Sequence, residues 1–451
     1  MLHTQKLFIC NITSWLSRRT RHIINVYCST LINGNLPVQQ KETIDVRETK
    51  KLIEIKTKLS KMKKESKVTE YIEQSISCDK EILDIINYIQ KVNPDISDII
   101  QLLGKHRNIS FKRADTTILH LIDKDTAAKY VSLIKNDLSK NMCYVAELNP
   151  GFGVLTRELL KAGVPLIHLY EGNLRLHKIL EMICTKYPEK LKLISSKYSN
   201  LFGKIRAFYD NKVTEEVTKK YQESFKAIES KNWKDETYMQ IIGACDSTHL
   251  FNFIIHSLIF RNGFMFYGRP VFYIAIPPSV WNNYNIFTSF NTYSYAKVMF
   301  KLMFNYELLG TLSRKAFIPW PKKKQCKRNS AFLSAKQNYK QLYVIKLEPK
   351  ADIYTQLSPK DWITFSYFVR HHMRKRCTRV IPALEKWIPG CGIRLIAKDY
   401  TIYTQFGDLM PTQILELFKE FKSWPEYKES YFIDSMNNSV GAHNEFEFFN
   451  E

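Results

Sequence analysis

The sequence contains no apolar run long enough to cross a bilayer. A membrane-spanning helix needs about 18 consecutive apolar residues, whereas the best candidate, residues 251–260, is short and contains His256. We therefore predict no membrane insertion. Hydrophobic residues make up 45% of the 451 positions and aromatic residues 13%, which excludes a disordered or low-complexity chain.

Cysteine residues are present, but they are not paired in sequence. The nine cysteines are spaced singly, and none forms a Cys-x-x-Cys motif. Paired motifs of that kind supply the thiolates of structural zinc sites and redox disulfides, so we predict neither type of site. Scattered single thiols are typical of a reducing compartment.

Acidic residues are missing from the first 40 positions, which contain four basic residues and frequent serine and threonine. Apolar residues recur there at helical spacing, which predicts an amphipathic helix with a cationic flank. This composition is typical of a mitochondrial presequence. We assign residues 1–40 to a presequence and predict a location in the mitochondrial matrix or nucleoid; the alternative is a basic amphipathic helix without a targeting role.

Positive charge dominates the rest of the chain as well. Lysine and arginine number 67 against 44 aspartate and glutamate residues, which gives a formal net charge of +23. Such an excess is unfavourable in a compact protein because like charges repel. It is typical of proteins that bind a polyanion, such as nucleic acid or an acidic membrane surface.

The hydrophobic pattern divides the chain into further segments. Residues 41–105 form a charged linker or N-terminal helical extension, and residues 106–350 alternate between strands and helices. Residues 351–428 are typical of a small helical domain, and residues 429–451 of an acidic, disordered tail. The predicted strands are 144–148, 166–170, 191–195, 239–244, 271–275 and 342–347. Helices between them predict an α/β fold with a mostly parallel sheet.

A glycine-containing turn follows the first of these strands. The sequence from Glu147 to Thr156 reads Glu-Leu-Asn-Pro-Gly-Phe-Gly-Val-Leu-Thr. Glycines between a strand and a helix let the backbone approach a ligand, and the helix N-terminus offers free amides. The second strand ends at Glu171, whose carboxylate could accept both hydroxyls of a ribose. These features indicate a nucleoside-cofactor site for NAD or S-adenosylmethionine; the alternative is a turn without a ligand.

This motif resembles the first motif of the rRNA adenine N6-dimethyltransferases, and Asn149, in place of the usual glycine, resembles a branch of their mitochondrial transcription factor B relatives. Leu121-Ile122-Asp123 is similar to the family segment beside the methionine end of the cofactor, and residues 317–322, Phe-Ile-Pro-Trp-Pro-Lys, are similar to the late loop beside the target base. The resemblance implies a Rossmann-like, seven-stranded S-adenosylmethionine-dependent methyltransferase fold with a C-terminal helical domain. It implies cofactor contacts from Ile122, Glu147, Asn149, Gly151, Gly153 and Glu171.

The methyl-transfer tetrad of that family is degraded here. Active members carry Asn/Asp-Leu/Ile-Pro-Tyr/Phe after the fourth strand, which holds the flipped adenine. The matching positions are Ala244, Cys245, Asp246 and Ser247, and an alternative register that begins at Asp246 also contains no proline and no aromatic ring. We therefore assign no catalytic residue. The acid that would bind the cofactor's adenine is replaced by Lys197.

Two basic segments remain candidates for nucleic-acid binding. Cations hold phosphates and exposed aromatic rings stack on unpaired bases. The predicted contacts are Arg314, Lys315, Phe317, Trp320, Lys322, Lys323 and Lys324 in the first segment, and Arg374, Lys375 and Arg376, expected on a helix, in the second. For each segment the alternative is a solvated basic surface.

The resemblance therefore implies three candidate functions. The first is a transcription initiation factor that melts promoter DNA together with mitochondrial RNA polymerase and an HMG-box protein. The second is an active small-subunit rRNA adenine dimethyltransferase, and the third is a non-enzymatic rRNA-binding assembly factor. The degraded tetrad favours the first over the second.

Overall fold

A computed structural model describes residues 84–96, 118–195, 225, 228–246, 248–285, 294–320 and 340–441. The predictions for residues 1–40, for most of the linker 41–105, and for Lys197, Ser247 and Lys322 to Lys324 lie outside the described residues. Among the described helices, none combines the length and the apolar composition needed to cross a membrane.

The centre of the fold is a seven-stranded sheet with the order β4-β3-β2-β5-β6-β9-β7. The five strands from β4 to β6 in that order are parallel, and β9 runs antiparallel to both β6 and β7. This arrangement confirms the predicted Rossmann-like α/β class. The strands are β1 (His120–Leu121), β2 (Tyr144–Leu148), β3 (Ile167–Glu171), β4 (Leu191–Ser195), β5 (Met239–Ala244), β6 (Pro270–Ile276), β7 (Phe304–Ser313), β8 (Phe317–Ile318) and β9 (Gln341–Pro349).

Strand β7 was not among the predicted strands. It lies at the edge of the sheet, and most of its side chains are exposed or half-buried. Its register shifts between Leu308 and Gly310. An edge strand with this mixed burial has neither a continuous apolar run nor a strict alternation, so its sequence is a weak strand signal.

Helices cover both faces of the sheet. They are α1 (residues 84–92), α2 (Lys124–Leu138), α3 (Val154–Lys161), α4 (Leu174–Lys186), α5 (His249–Ile259), α6 (Phe264–Tyr267), α7 (Pro278–Asn285), α8 (Tyr295–Met303), α9 (Ile353–Gln356), α10 (Pro359–His372), α11 (Val380–Glu385), α12 (Gly392–Ile396), α13 (Pro411–Ser423) and α14 (Tyr431–Gly441). Residues of α1 to α4 contribute to one hydrophobic core, and α5, α8 and the C-terminal helices contribute to the other.

The C-terminal helices pack on the sheet domain through α5 and α8. Phe365 and Phe368 of α10 are fully buried in the same core as Phe300 of α8. Pro411 begins α13, as a proline at the first helical position can, whereas Pro382 lies in the first turn of α11 and does not break it.

The prediction of a disordered tail from residue 429 is wrong for the part that is described. Helix α14 lies there, and its Phe432 is fully buried. The ring centroid of Phe432 is 5.3 Å from that of Phe421 and 5.7 Å from that of Trp387. This aromatic anchor holds the segment against the C-terminal helices, and an overall acidic composition does not reveal it.

Candidate cofactor and nucleic-acid site

The turn between β2 and α3 is a left-handed glycine loop. Asn149, Gly151 and Gly153 have φ angles of 54°, 61° and 67°, a conformation that glycine adopts freely and asparagine tolerates. A Cβ atom at Gly151 would lie 2.7 Å from the Nδ1 atom of His120, and one at Gly153 would lie 2.5 Å from the Cδ1 atom of Ile183. Close packing against the His120 side chain adds to the conformational requirement at Gly151, whereas at Gly153 the neighbour is the end of a flexible side chain and the φ angle is the main requirement.

Glu171 lies at the carboxyl end of β3, directly beside this loop. Its carboxylate accepts hydrogen bonds from the amide of Gly151 at 3.1 Å and from the amide of Asn173 at 2.8 Å. Burial raises the pKa of Glu171 to about 7, although the hydrogen bonds from the backbone lower it. The predicted ribose acceptor thus lies next to the loop, and its hydrogen bond from Gly151 stabilises the loop.

Glu147 was predicted to contact the cofactor, but its carboxylate faces the interior. It is 2% exposed and accepts a hydrogen bond from the Oγ1 atom of Thr156 at 2.6 Å. Burial raises the pKa of Glu147 to about 8, the Thr156 hydrogen bond lowers it, and the charge of Glu171 raises it further. Glu147 therefore joins the strand to the helix that follows the loop.

The segment around Ile122 lies between the glycine loop and the late loop. Strand β1 pairs with β8, and the fully buried Ile122 donates its amide to the carbonyl of Ala316 at 2.9 Å. The carbonyl of Ile122 accepts a hydrogen bond from the side chain of Asn93 at 3.2 Å. The three segments that the sequence analysis assigned to one site are thus brought together at the carboxyl edge of the sheet.

Two buried nitrogen atoms beside the loop, Nδ1 of His120 and Nδ2 of Asn149, have no hydrogen-bond partner among the described residues. Buried polar atoms in folded proteins are nearly always paired, so unpaired ones indicate a place for a polar ligand. Together with the glycine loop and the Glu171 carboxylate, they fit a nucleoside cofactor such as S-adenosylmethionine. Among the described residues, no cluster of histidine, cysteine or acidic side chains could hold a metal ion.

The described part of the degraded tetrad offers one carboxylate, that of Asp246, and no aromatic ring. Ala244 and Cys245 are buried, and the Cys245 amide donates to the carbonyl of Ala275 at 3.0 Å. The Oδ2 atom of Asp246 lies 3.8 Å from the Nη2 atom of Arg314. Burial raises the pKa of Asp246, and the Arg314 charge lowers it. The described residues of the tetrad therefore lack the aromatic ring that stacks on a flipped adenine.

The prediction that Arg314 and Phe317 bind nucleic acid is not supported by their positions. Arg314 is 2% exposed, and its guanidinium donates to the carbonyls of Phe317 and Pro319, each at 2.7 Å. Phe317 is fully buried and cannot stack on a base. The guanidinium has structural partners that a count of charges in the sequence cannot reveal.

Lys315 and Trp320 remain accessible in the same segment. Lys315 is exposed, and Trp320 is half-buried with its indole N–H donating to the Lys315 carbonyl at 3.0 Å. The Trp320 ring also meets the ring of Tyr88 edge to face, with centroids 5.7 Å apart. This pair leaves a cation and part of an aromatic surface beside the site.

The second basic segment is exposed as predicted, but it does not lie on a helix. Helix α10 ends at His372, and Arg374, Lys375 and Arg376 occupy the turn that follows. The structure adds a cation that the sequence analysis missed: burial lowers the pKa of Lys297 in α8, and the nearby charge of Arg376 lowers it further. Lys297 and Arg376 are far apart in the sequence, so their proximity could not be predicted from it.

Charge reversal tests whether this turn binds nucleic acid. We expect Arg374→Glu, Lys375→Glu and Arg376→Glu together to weaken binding of a single-stranded oligonucleotide and to reduce its salt dependence by about two to three units, since each lost phosphate contact removes roughly one. Binding measured across a salt series gives the slope. An unchanged slope would mean that the turn is only a solvated basic surface.

The sequence was compared with known proteins. No protein-family model matches the chain. It is 27% identical over 371 residues to the mitochondrial dimethyladenosine transferase 2 of Drosophila melanogaster, covering 73% of this chain and 81% of that one. It is 25% identical over 232 residues to human mitochondrial dimethyladenosine transferase 1, covering 51% and 60% respectively. The first match agrees with the branch that Asn149 resembles.

Solved structures of similar fold include a dimethyladenosine transferase from Plasmodium falciparum, with a TM-score of 0.44 and 13% identity, covering 67% of this chain and 97% of that chain. The 23S rRNA methyltransferase ErmE has a TM-score of 0.41 and 16% identity, covering 67% of this chain and all of that chain. The sequence matches show that this chain is similar to mitochondrial dimethyladenosine transferases, and its strand order is that of a Rossmann-like α/β fold.

Proposed function

We propose that this protein is a mitochondrial transcription initiation factor that helps mitochondrial RNA polymerase to melt promoter DNA. The observation that carries the proposal is the state of the tetrad. Ala244 and Cys245 are buried and apolar, and Asp246 lies beside the buried guanidinium of Arg314. A scaffold of this family without its base clamp keeps a nucleic-acid surface but loses the means to position an adenine for methyl transfer.

Exposed cations near the site support a role on nucleic acid. Lys315 lies beside the half-buried Trp320, and the turn containing Arg374, Lys375 and Arg376 is exposed. Cations with an accessible ring can hold a separated strand and stack on its bases. An enzyme that flips a base must unstack it and hold it outside the helix. Promoter melting requires the same unstacking, so a scaffold of this kind is suited to it. By family resemblance, an HMG-box protein would be a further partner at the promoter.

The names of the relatives support a mitochondrial location. Both the Drosophila and the human protein are named as mitochondrial, and the first 40 residues have the composition of a presequence. We place the mature protein in the matrix, at the nucleoid.

Run-off transcription on two templates tests the proposal. Purified mitochondrial RNA polymerase would be supplied with a fully duplex promoter or with the same promoter already melted at the start site. We expect the protein to be required on the duplex and nearly dispensable on the melted template. Equal dependence on both templates, or on neither, would contradict a melting role.

A second candidate is an active small-subunit rRNA adenine dimethyltransferase. It is favoured by the retained glycine loop, by Glu171 and by the names of the relatives. Bound S-adenosylmethionine would supply the methyl group. Glu171 would bind its ribose, and the glycine loop would let the cofactor lie close to the protein backbone. Methyl incorporation into a small-subunit rRNA hairpin would favour this candidate over the first.

A substitution at Glu171 separates cofactor binding from initiation. Glu171→Gln keeps the side-chain shape but removes the charge that accepts hydroxyl donors, so we expect S-adenosylmethionine to bind at least about tenfold more weakly. Transcription from the duplex promoter should stay near the wild-type level. Calorimetric titration and run-off transcription check the two results, and an unfolding curve controls for folding. Loss of both activities in a folded variant would show that initiation needs the cofactor.

A further inference from the structure

A second cavity lies at the opposite edge of the sheet from the glycine loop. Its volume is about 470 Å³, and its lining comes from residues 231–234, which precede β5, from Arg261 after α5, and from Ala351, Tyr354, Thr355 and Pro359 after β9. Strands β5 and β6 begin at this edge, whereas the glycine loop and the tetrad lie where the parallel strands end. The cavity is therefore independent of the site described above.

The charge of this cavity is of one sign. Lys231, Lys234 and Arg261 line it, and no acidic side chain does. Among the described residues, none of these three cations lies within ion-pair distance of a carboxylate. Four acids stand close by in sequence, Glu229, Asp235, Glu236 and Asp352, but none of them lines the cavity. Asp235 accepts the amide of Asn232 at 3.2 Å, and Asp352 accepts the side chain of Gln356 at 2.7 Å.

Arg261 occupies a backbone position that normally belongs to glycine. Helix α5 ends at Ile259 with Phe260 as its C-cap, and Arg261 follows with a φ angle of 47°. The amide of Asn262 bonds to the carbonyl of Ser257 at 3.0 Å, closing the turn. Left-handed residues at this position are usually glycine because a side chain is strained there. An observed strain of this kind is a reason to look for a function of the side chain.

The guanidinium of Arg261 is positioned but incompletely paired. Its Cζ atom lies 5.3 Å from the centroid of the Tyr354 ring, and its buried Nε atom has no hydrogen-bond partner within the part of the chain that the structure describes. The Tyr354 ring in turn meets the ring of Trp233 edge to face, with centroids 5.0 Å apart. The Trp233–Tyr354 pair forms the wall of the cavity. The Arg261 guanidinium lies against this wall, and its Nε–H group is available to donate a hydrogen bond to a ligand.

We propose that this cavity binds a phosphate group. A guanidinium presents donors in a fork that matches phosphate oxygens, and the two lysines add point charges, with the Nζ atom of Lys231 lying 5.1 Å from the centroid of the Tyr238 ring. The phosphate has two possible sources, which share this chemistry: a nucleoside phosphate or other small phosphate compound, and the backbone of a nucleic-acid strand that reaches this edge of the protein.

Arg261→Gly is an informative test variant because glycine relieves the left-handed strain, so the variant should fold at least as well as the wild type. Lys234→Gln is a second variant that leaves the backbone unchanged. Lys129→Gln, an exposed lysine on α2, removes one charge elsewhere and serves as the matched control. Inorganic pyrophosphate is the small probe, titrated at constant ionic strength against the full-length protein.

We expect Arg261→Gly and Lys234→Gln each to weaken pyrophosphate binding by about tenfold, the value of one lost charge-assisted contact, and Lys129→Gln to leave it unchanged. Equal effects of all three substitutions would overturn the proposal. So would a wild-type protein that binds neither pyrophosphate nor a single-stranded oligonucleotide.

A single-stranded oligonucleotide distinguishes the two sources of phosphate. If a strand reaches the cavity, Arg261→Gly should reduce the salt slope of oligonucleotide binding by about one unit, and Lys129→Gln should not. An unchanged slope together with weakened pyrophosphate binding would assign the cavity to a small phosphate compound. If neither measurement changes, the phosphate site is excluded.

Discussion

Replacement of Arg314 by methionine is expected to lower the free energy of unfolding by about 3 kcal/mol. The guanidinium of Arg314 donates to the carbonyls of Phe317 and Pro319 and faces the carboxylate of Asp246. Methionine fills much of the same space but offers no donor. The substitution would leave two carbonyls and a half-buried acid without their partner, and such losses cost more than the original contacts contribute.

Urea unfolding of Arg314→Met measures this effect, and two variants delimit it. Lys315→Met removes the neighbouring exposed cation and should change stability by less than about 0.5 kcal/mol. Asp246→Asn should cost less than Arg314→Met, because the two carbonyls keep their donor. If Arg314→Met unfolds at the wild-type urea concentration, the guanidinium is not the structural bridge that its contacts indicate.

Glu147→Gln is expected to make the protein more stable than the wild type above neutral pH. Burial raises the pKa of Glu147 to about 8 and that of Glu171 to about 7. A raised pKa in the folded state means that the protonated acid is favoured by folding. The stability that these groups contribute is therefore full below their unfolded value of about 4.5 and is lost as the pH rises through 7 and 8.

The useful window for this measurement is pH 6.5 to 8.5. Burial lowers the pKa of His120 and His168 to about 4, so these histidines change stability mainly below their unfolded value of about 6.5. Inside the window, the difference in unfolding free energy between Glu147→Gln and the wild type should grow by about 2 kcal/mol in favour of the variant. Urea titrations at several pH values give this difference.

An exposed acid supplies the control. Glu189→Gln, on the surface after α4, should differ from the wild type by a constant amount across the same pH range. If Glu147→Gln shows the same flat difference, the Glu147 carboxylate is solvated, and the interior position described for it is wrong.

The sequence predicted the interior of the sheet better than its edge. Strand β5 is buried at all six positions, and a continuous apolar run between polar segments identifies a strand of this kind. Strand β7 was not predicted, because solvent on one side removes the need for apolar residues and because its bulge interrupts the alternation of apolar and polar residues. The anchor at Phe432 escaped for a related reason, since one aromatic residue in a polar segment gives no periodicity.

The sequence predicted the backbone conformation of the glycine loop, but it did not predict the tertiary partners of the basic residues. Asn149, Gly151 and Gly153 are in the left-handed conformation that the motif implies. Arg314 was predicted to bind nucleic acid because it belongs to a basic segment, yet its charge is satisfied by carbonyls only a few residues away. Composition counts charges but does not tell which of them water can reach.

The shared core of the sheet domain and the C-terminal helices has a consequence for how the protein can be divided. Phe365 and Phe368 of α10 bury themselves against α5 and α8, and the Tyr295 hydroxyl meets the Ser366 hydroxyl at 2.8 Å. A chain cut after Pro349 would leave that apolar face open to water, and we expect it to aggregate. We expect the two parts to unfold together in one cooperative transition, because each buries the apolar face of the other.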